Sequence, residues 1–427
     1  MFDFNIRILA SIKIPRNIRS VASLSGINIL SQLIPFLLLP IFSNFYSNKD
    51  FSLYGFSLAI ASPLAILLSL RYENAIVPSK SLKQAIDLVY LCVLLISFIS
   101  LLCFILIYFF SEFILASFNL NDEYYPYLLM APIISLTMAF AQVLNLWWIK
   151  FLKIRYINGF KFAQATFFSL TVLLFGYSAI NHGLIYSDLL SRIITVIILG
   201  LGLLIVLIRH QKPLLSNIAK AAVLNNNFPL QNAIPALLDS ISLSMIVWFV
   251  TLRYNQAISG NFNLARMVII IPMSVLTVAI GQVFLNYYSK RLIAKLPLWP
   301  IIIKHFQILF LLGVVAGTVY YFIGAEVFYW IFGSKWKSAA ILSTYLMCSS
   351  LIKICVSPLS VALIAYKDLK LLSLWQVLSF VCYVSMFCFE FCNIFIALST
   401  LLAMEFALYG IFLYFIFITI KKNDRLG

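Results

Sequence analysis

The sequence predicts an all-α polytopic membrane protein of about twelve transmembrane helices, and three observations carry that prediction. Hydrophobic residues make up 63% of the 427 positions, charged residues only 10%, and the mean hydropathy is +1.02. An ordinary soluble domain is about a quarter charged, so no soluble fold could bury this much apolar surface. The apolar stretches recur at the length, about 20 residues, that a helix needs to cross roughly 30 Å of hydrocarbon. They are also continuous rather than alternating, which selects helices over a transmembrane barrel.

The spans follow in order from apolar runs between polar breaks. The first, 21–46, comes after Arg7, Lys13, Arg16 and Arg19. No small-residue cleavage site precedes it, so residues 1–20 read as a retained cytoplasmic amphipathic lead-in rather than a cleaved signal. The second, 51–70, lies between Lys49 and Arg71-Tyr72-Glu73, where a tyrosine between charges is expected to anchor at the interface. The third, 85–109, follows Lys80 and Lys83 and opens onto an outer loop, Phe110 to Pro126, with Glu112, Asp122 and Glu123 but no Lys or Arg. The fourth, 127–149, stops at Lys150, and the fifth, 158–180, starts past Lys153 and Arg155 with Lys161 counted among the loop charges. The sixth, 184–208, runs from His182 to Arg209.

The second half repeats the pattern. Span 231–252 ends at Arg253, and 259–284 leads to Lys290, Arg291 and Lys295. Span 300–323 opens near Lys304, and 339–364 follows Lys335 and Lys337. Lys367 and Lys370 precede 371–389, and 393–420 ends before Lys421, Lys422 and Arg425. Alternating these spans from a cytoplasmic N-terminus puts most of the 30 basic residues inside and leaves Lys49, Arg253, Lys335 and Lys337 outside. Both termini are therefore expected in the cytoplasm. The net charge of +16 reads as a topology signal, not as a nucleic-acid surface.

The polar stretch 209–230 falls at mid-chain and is expected to link two six-helix bundles, 1–208 and 231–427. An internal echo supports related halves: Tyr54-Gly55-Phe56-Ser57-Leu58-Ala59 opens the second span and Gly260-Asn261-Phe262-Asn263-Leu264-Ala265 the eighth, each followed by a proline, Pro63 and Pro272. Halves of six spans are parallel pseudo-repeats around a central cavity, an arrangement of transporters more than of enzymes.

Ionisable residues at membrane depth cost at least about 2.5 kcal/mol each on insertion scales and so invite a functional reading. Arg192, Arg266 and Lys353 lie within spans, and Arg253 ends one. These four are the candidate cations of a cavity, with headgroup contact open for Arg253 and pairing to Asp239 or Glu405 open for Arg266 and Lys353. Asp188 stands four residues before Arg192, one helical turn, and can pair with it. Asp188, Asp239 and Glu405 are the candidate ion-pair or coupling acids; Glu405 can also be a protonated, hydrogen-bonded acid without a transport role. Cys92, Cys103, Cys348, Cys355, Cys382, Cys388 and Cys392 form no CxxC and read as small buried filler. His182, His210 and His305 stand apart, so no metal or cofactor site is expected.

Three local patterns resemble the polysaccharide-exporting branch (O-antigen or capsule repeat-unit flippases, Wzx-type) of the multidrug/oligosaccharidyl-lipid/polysaccharide exporter superfamily. They are Leu70-Arg71-Tyr72-Glu73-Asn74-Ala75-Ile76; the run from Phe228-Pro229 through Gly260, Phe262, Leu264-Ala265-Arg266 and Pro272 to Gly281-Gln282-Val283-Phe284; and Ile331-Phe332-Gly333-Ser334-Lys335-Trp336. The resemblance implies a flippase in the bacterial inner membrane, with two six-helix bundles as in multidrug exporters of that superfamily. It would move an undecaprenyl-diphosphate-linked oligosaccharide from the cytoplasmic to the periplasmic leaflet, with membrane lipids and other polysaccharide-assembly proteins as partners. Arg71 and Glu73 become the cytoplasmic motif. The chain departs from the drug-exporter pattern in having few intramembrane acids, which leaves ion coupling open. The competing expectations are a drug or metabolite antiporter of the same superfamily and a polysaccharide polymerase. The polymerase fares worse because the outer loops are short.

Overall fold

Helix starts are set locally by side chains that satisfy otherwise orphaned backbone N–H groups. The computed structural model describes residues 31, 33–210, 213–366 and 368–426. Helix α1 (Leu33–Phe45) is the described part of the first predicted span. Ser47 and Asp50 then build a capping box that starts α2 (Asn48–Ser69). Ser81 caps α3 (Leu82–Ser117) by accepting from Gln84 N, and α4 (Tyr125–Lys150), α5 (Ile154–Tyr177) and α6 (Gly183–Arg209) complete the first half. The mid-chain stretch carries α7 (Leu215–Leu224).

The second half holds α8 (Ile234–Arg253), α9 (Gln256–Ile293, capped by Asn255), α10 (Trp299–Val319), α11 (Ala325–Phe332), α12 (Lys337–Val356), α13 (Val361–Ala365), α14 (Leu369–Ser385) and α15 (Ile394–Leu426). Among the described residues, 11 helical segments are long and apolar enough to span a membrane, and they coincide with predicted spans two to twelve. The described residues contain no strand. The predicted lead-in over 1–20 lies outside the described residues.

Two segments differ from expectation. The loop expected from Phe110 is helical to Ser117, because no breaker stands before Asn119 and backbone hydrogen bonding does not stop where hydrocarbon does. The linker is not simply polar loop: α7 turns Ile218 and Ala221 into the core beside α3 while Leu215, Val223 and Leu224 stay exposed.

Packing separates the two ends of the molecule. At one end, Phe42, Tyr46, Phe51, Tyr124 and Tyr127 of the first half share one core with Val247, Phe249, Phe262, Trp336 and Leu342 of the second. At the other end the halves have separate cores: Leu68, Val89, Val143, Trp147 and Leu203 in the first, and Tyr288, Ile302, Leu363 and Ile416 in the second. Helix α2 bridges the halves by packing against both α8 and α9.

The shared end is shut by specific contacts. Lys335 Nζ donates to Tyr46 O at 2.7 Å and Ser43 O at 3.3 Å, and Trp336 Nε1 donates to Ser43 O at 3.2 Å. Glu123 accepts from Lys49 Nζ at 2.5 Å and from Gln256 Nε2 at 3.1 Å. Of the positions predicted to lie outside, Lys49, Glu123 and Lys335 make their contacts at this closed end.

Candidate functional site

A chamber of about 620 Å³ opens between the halves. Its walls follow helical spacing: Lys161, Gln164, Ala165 and Phe168 form one face of α5, Asp188, Ser191 and Arg192 one face of α6, and Ser274, Val275, Val278, Ala279 and Gln282 one face of α9. Ser31 and Pro35 close the side toward α1. The floor of charge is simple. Arg192 Nε donates to Asp188 Oδ2 at 2.7 Å, so those two charges cancel locally. Lys161 has no carboxylate within ion-pair distance among the described residues, which leaves the walls one net positive charge.

Beside the chamber lies an apolar pocket of about 250 Å³ along the seam between α1 and α9. Pro35, Phe168 and Val275 line both spaces, and the remaining walls are Leu33, Phe36, Leu39, Phe42, Met267, Ile271, Pro272 and Leu276. A polar, cationic space and an apolar one thus lie side by side across these shared wall residues. A third pocket of about 410 Å³, lined by Phe56, Ile60, Ile114, Phe118, Leu120, Leu128, Met245, Trp248, Leu252, Val384 and Phe387, occupies the opposite seam.

Of the candidate cations, only Arg192 lines the chamber. Arg266 lies on α9 beside Met267 and makes neither an ion pair nor a hydrogen bond among the described residues. Lys353 departs from the cavity reading: its ammonium is held by Glu405 at 2.7 Å, across two helices, because a buried carboxylate and a nearby lysine neutralise each other. Arg253 sits at the closed end and donates from Nη2 to Phe387 O at 3.1 Å. Among the acids, Asp188 is paired as expected, Glu405 is taken up by Lys353, and Asp239 is exposed on α8 with Arg71 as the cation whose charge reaches it. Spacing could have found Lys161, Gln164 and Gln282, which the charge reading passed over as a loop residue and two neutral amides.

The Arg71 motif is folded inward. Leu70 and Arg71 both take left-handed backbone angles, φ 49° and 61°, and reverse the chain into the turn Tyr72–Ala75. Tyr72 is therefore not a free interface anchor; its hydroxyl donates to Ala222 O of α7 at 3.3 Å. Glu73 is buried with Arg71 Nη1 at 3.7 Å, and burial pushes its carboxyl pKa up against the opposing pull of its hydrogen bonds and of Arg71. Cys388 and Cys392 are exposed rather than buried filler, since α14 ends at Ser385 and leaves them on the connection to α15.

Residues 18–290 match the sequence profile of a family described as polysaccharide biosynthesis protein. No curated protein matches the sequence. Among solved structures, the chain is similar to the lipid II flippase MurJ in an inward closed conformation, at 13% identity and a TM-score of 0.72 over 95% of this chain and 91% of that one. It is also similar to a multidrug resistance MATE family transporter of the MOP superfamily in an inward-facing conformation, at 12% identity and a TM-score of 0.64 over 94% of each chain. A MOP superfamily transporter from Pyrococcus furiosus matches at 13% identity and a TM-score of 0.60 over 94% of this chain and 95% of that one. At these identities the likeness is one of fold.

Proposed function

The chain belongs to the polysaccharide biosynthesis protein family, and from that premise we propose that it flips undecaprenyl-diphosphate-linked oligosaccharides from the cytoplasmic to the periplasmic leaflet of a bacterial inner membrane. The observation that carries the reading is a pair of adjoining spaces between the halves, one cationic and polar beside α5 and α6, the other apolar along α1 and α9. A glycan diphosphate cannot cross hydrocarbon unaided, because each polar group loses its water without replacement. The chamber offers hydroxyls, amides and a net positive charge to that headgroup, and the apolar seam suits a hydrocarbon tail that never leaves a lipid-like surrounding.

The halves then work by alternating access. With both termini cytoplasmic, the closed end faces the periplasm and the chamber is loaded from inside. Opening the contacts of Lys335, Trp336 and Glu123 while the separate cores close together would release the headgroup outside. Arg266, which has no ion pair among the described residues, is proposed as a further cationic contact on that route, and Arg253 as one at its outer rim.

Mass spectrometry of undecaprenyl-linked intermediates in cells lacking this protein tests the reading. Accumulation of a lipid-linked repeat unit, with loss of the corresponding surface glycan, is expected. Unchanged intermediates and unchanged glycan would sink it. The largely apolar seam pockets favour, as the second reading, a drug or metabolite antiporter of the same superfamily, for which drug sensitivity changes and lipid intermediates do not.

A further inference from the structure

The second half contains a polar cluster that the chamber does not use. Glu405 of α15 is 1% exposed, and its carboxylate accepts three hydrogen bonds. Lys353 Nζ at 2.7 Å and Tyr383 Oη at 2.5 Å reach Oε1, and Ser349 Oγ reaches Oε2. Ser349 and Lys353 stand one turn apart on α12, and Tyr383 comes from α14, so three helices converge on one carboxylate. Among the described residues, the further titratable groups that its charge reaches are Cys382 and Tyr409, with Asp239 acting on Tyr409 from α8.

Apart from the ammonium, this is the donor set of a small monovalent-cation site. A carboxylate supplies the charge, and a serine and a tyrosine hydroxyl each keep lone pairs that can turn toward a cation while their protons point elsewhere. Hard cations take oxygen ligands of this kind. The lysine side chain is 23% exposed while Glu405 is 1% exposed, so the pair is the more solvated on its lysine side. We propose that this cluster is a monovalent-cation site whose resident cation is the Lys353 ammonium, and that sodium or potassium binds there once the ammonium is removed. A tethered cation is present at high effective concentration, so in the intact protein the ammonium outcompetes an inorganic ion at this position. The proposal stands independently of the transported substrate.

The test is thermal unfolding of the purified full-length protein at pH 8 in sodium, potassium or choline chloride at equal ionic strength. Lys353→Gln is expected to melt about 2–4 °C higher in saturating sodium or potassium than in choline, by mass action of a ligand that binds only the folded state. Wild type and the Lys353→Gln/Glu405→Gln double variant should show no such response. A Lys353→Gln protein indifferent to alkali cations overturns the proposal. So does a double variant that responds equally, or a single variant that folds in none of the salts.

Discussion

Lys161 and Arg192 both face the chamber, but they are held differently, and substitution should separate them. Arg192 is engaged one turn away by Asp188, whereas Lys161 is free of ion pairs among the described residues and supplies the net charge. Removing a charge-assisted hydrogen bond of about 1.5–3 kcal/mol should slow transport by roughly tenfold or more. Lys161→Gln is therefore expected to lower the initial rate of headgroup translocation in proteoliposomes about tenfold with its melting temperature unchanged. Arg192→Gln should also lower the melting temperature, since it strands Asp188 in the wall. Equal rates for Lys161→Gln and wild type would remove that lysine from the substrate path. The difference also measures what could be read from the chain. The Asp188–Arg192 pair was legible because helical geometry fixes an i, i+4 contact. The Lys353–Glu405 pair was open to several readings because its partners lie 52 residues apart and meet only through tertiary packing.

At the scale of elements, the contact between α2 and α9 rests on glycines at both ends of the internal echo. A Cβ on Gly260 would lie 1.8 Å from the backbone oxygen of Asn48, and one on Gly55 would lie 2.3 Å from the Asn263 side chain. The first clash is with main chain and cannot be relieved by a rotamer change. Asn263 is buried with neither amide atom hydrogen-bonded among the described residues, so the close approach is also the place where the closed end gains from being wetted. Gly260→Ala is thus expected to hold the closed end apart. With Cys388 and Cys392 replaced by serine, a Ser43→Cys reporter, buried in the closed state, should react with an impermeant maleimide several-fold faster in Gly260→Ala than in its parent. Gly410→Ala, where a Cβ meets nothing within 4 Å, is the matched control and should leave the rate alone. Identical labelling in all three would show that the crossing tolerates a methyl group. The echo announced two related segments in the sequence. That they touch each other could not be read there, because repeat similarity carries no information on the axis that relates the copies.

For the whole molecule, hydropathy and charge were enough for spans and their order, since both are set by the bilayer and not by packing. Which end is shut was not legible, because either conformation presents the same helices to lipid and differs only in what the two halves bury against each other. With a shared core at one end and separate cores at the other, the proposed alternating access makes a specific demand: the halves must part where Lys49 and Gln256 now meet on Glu123. Both side chains reach one carboxylate, so cysteines at these two positions can be joined by a short reducible bismaleimide. In a background lacking Cys388 and Cys392, the joined protein is expected to translocate nothing, with activity returning on reduction. Its chamber should still take up a soluble headgroup analogue from the open end, because the tie lies at the other one. Full translocation by the cross-linked protein would mean that transport proceeds with the closed end shut, and alternating access about that end would have to be abandoned.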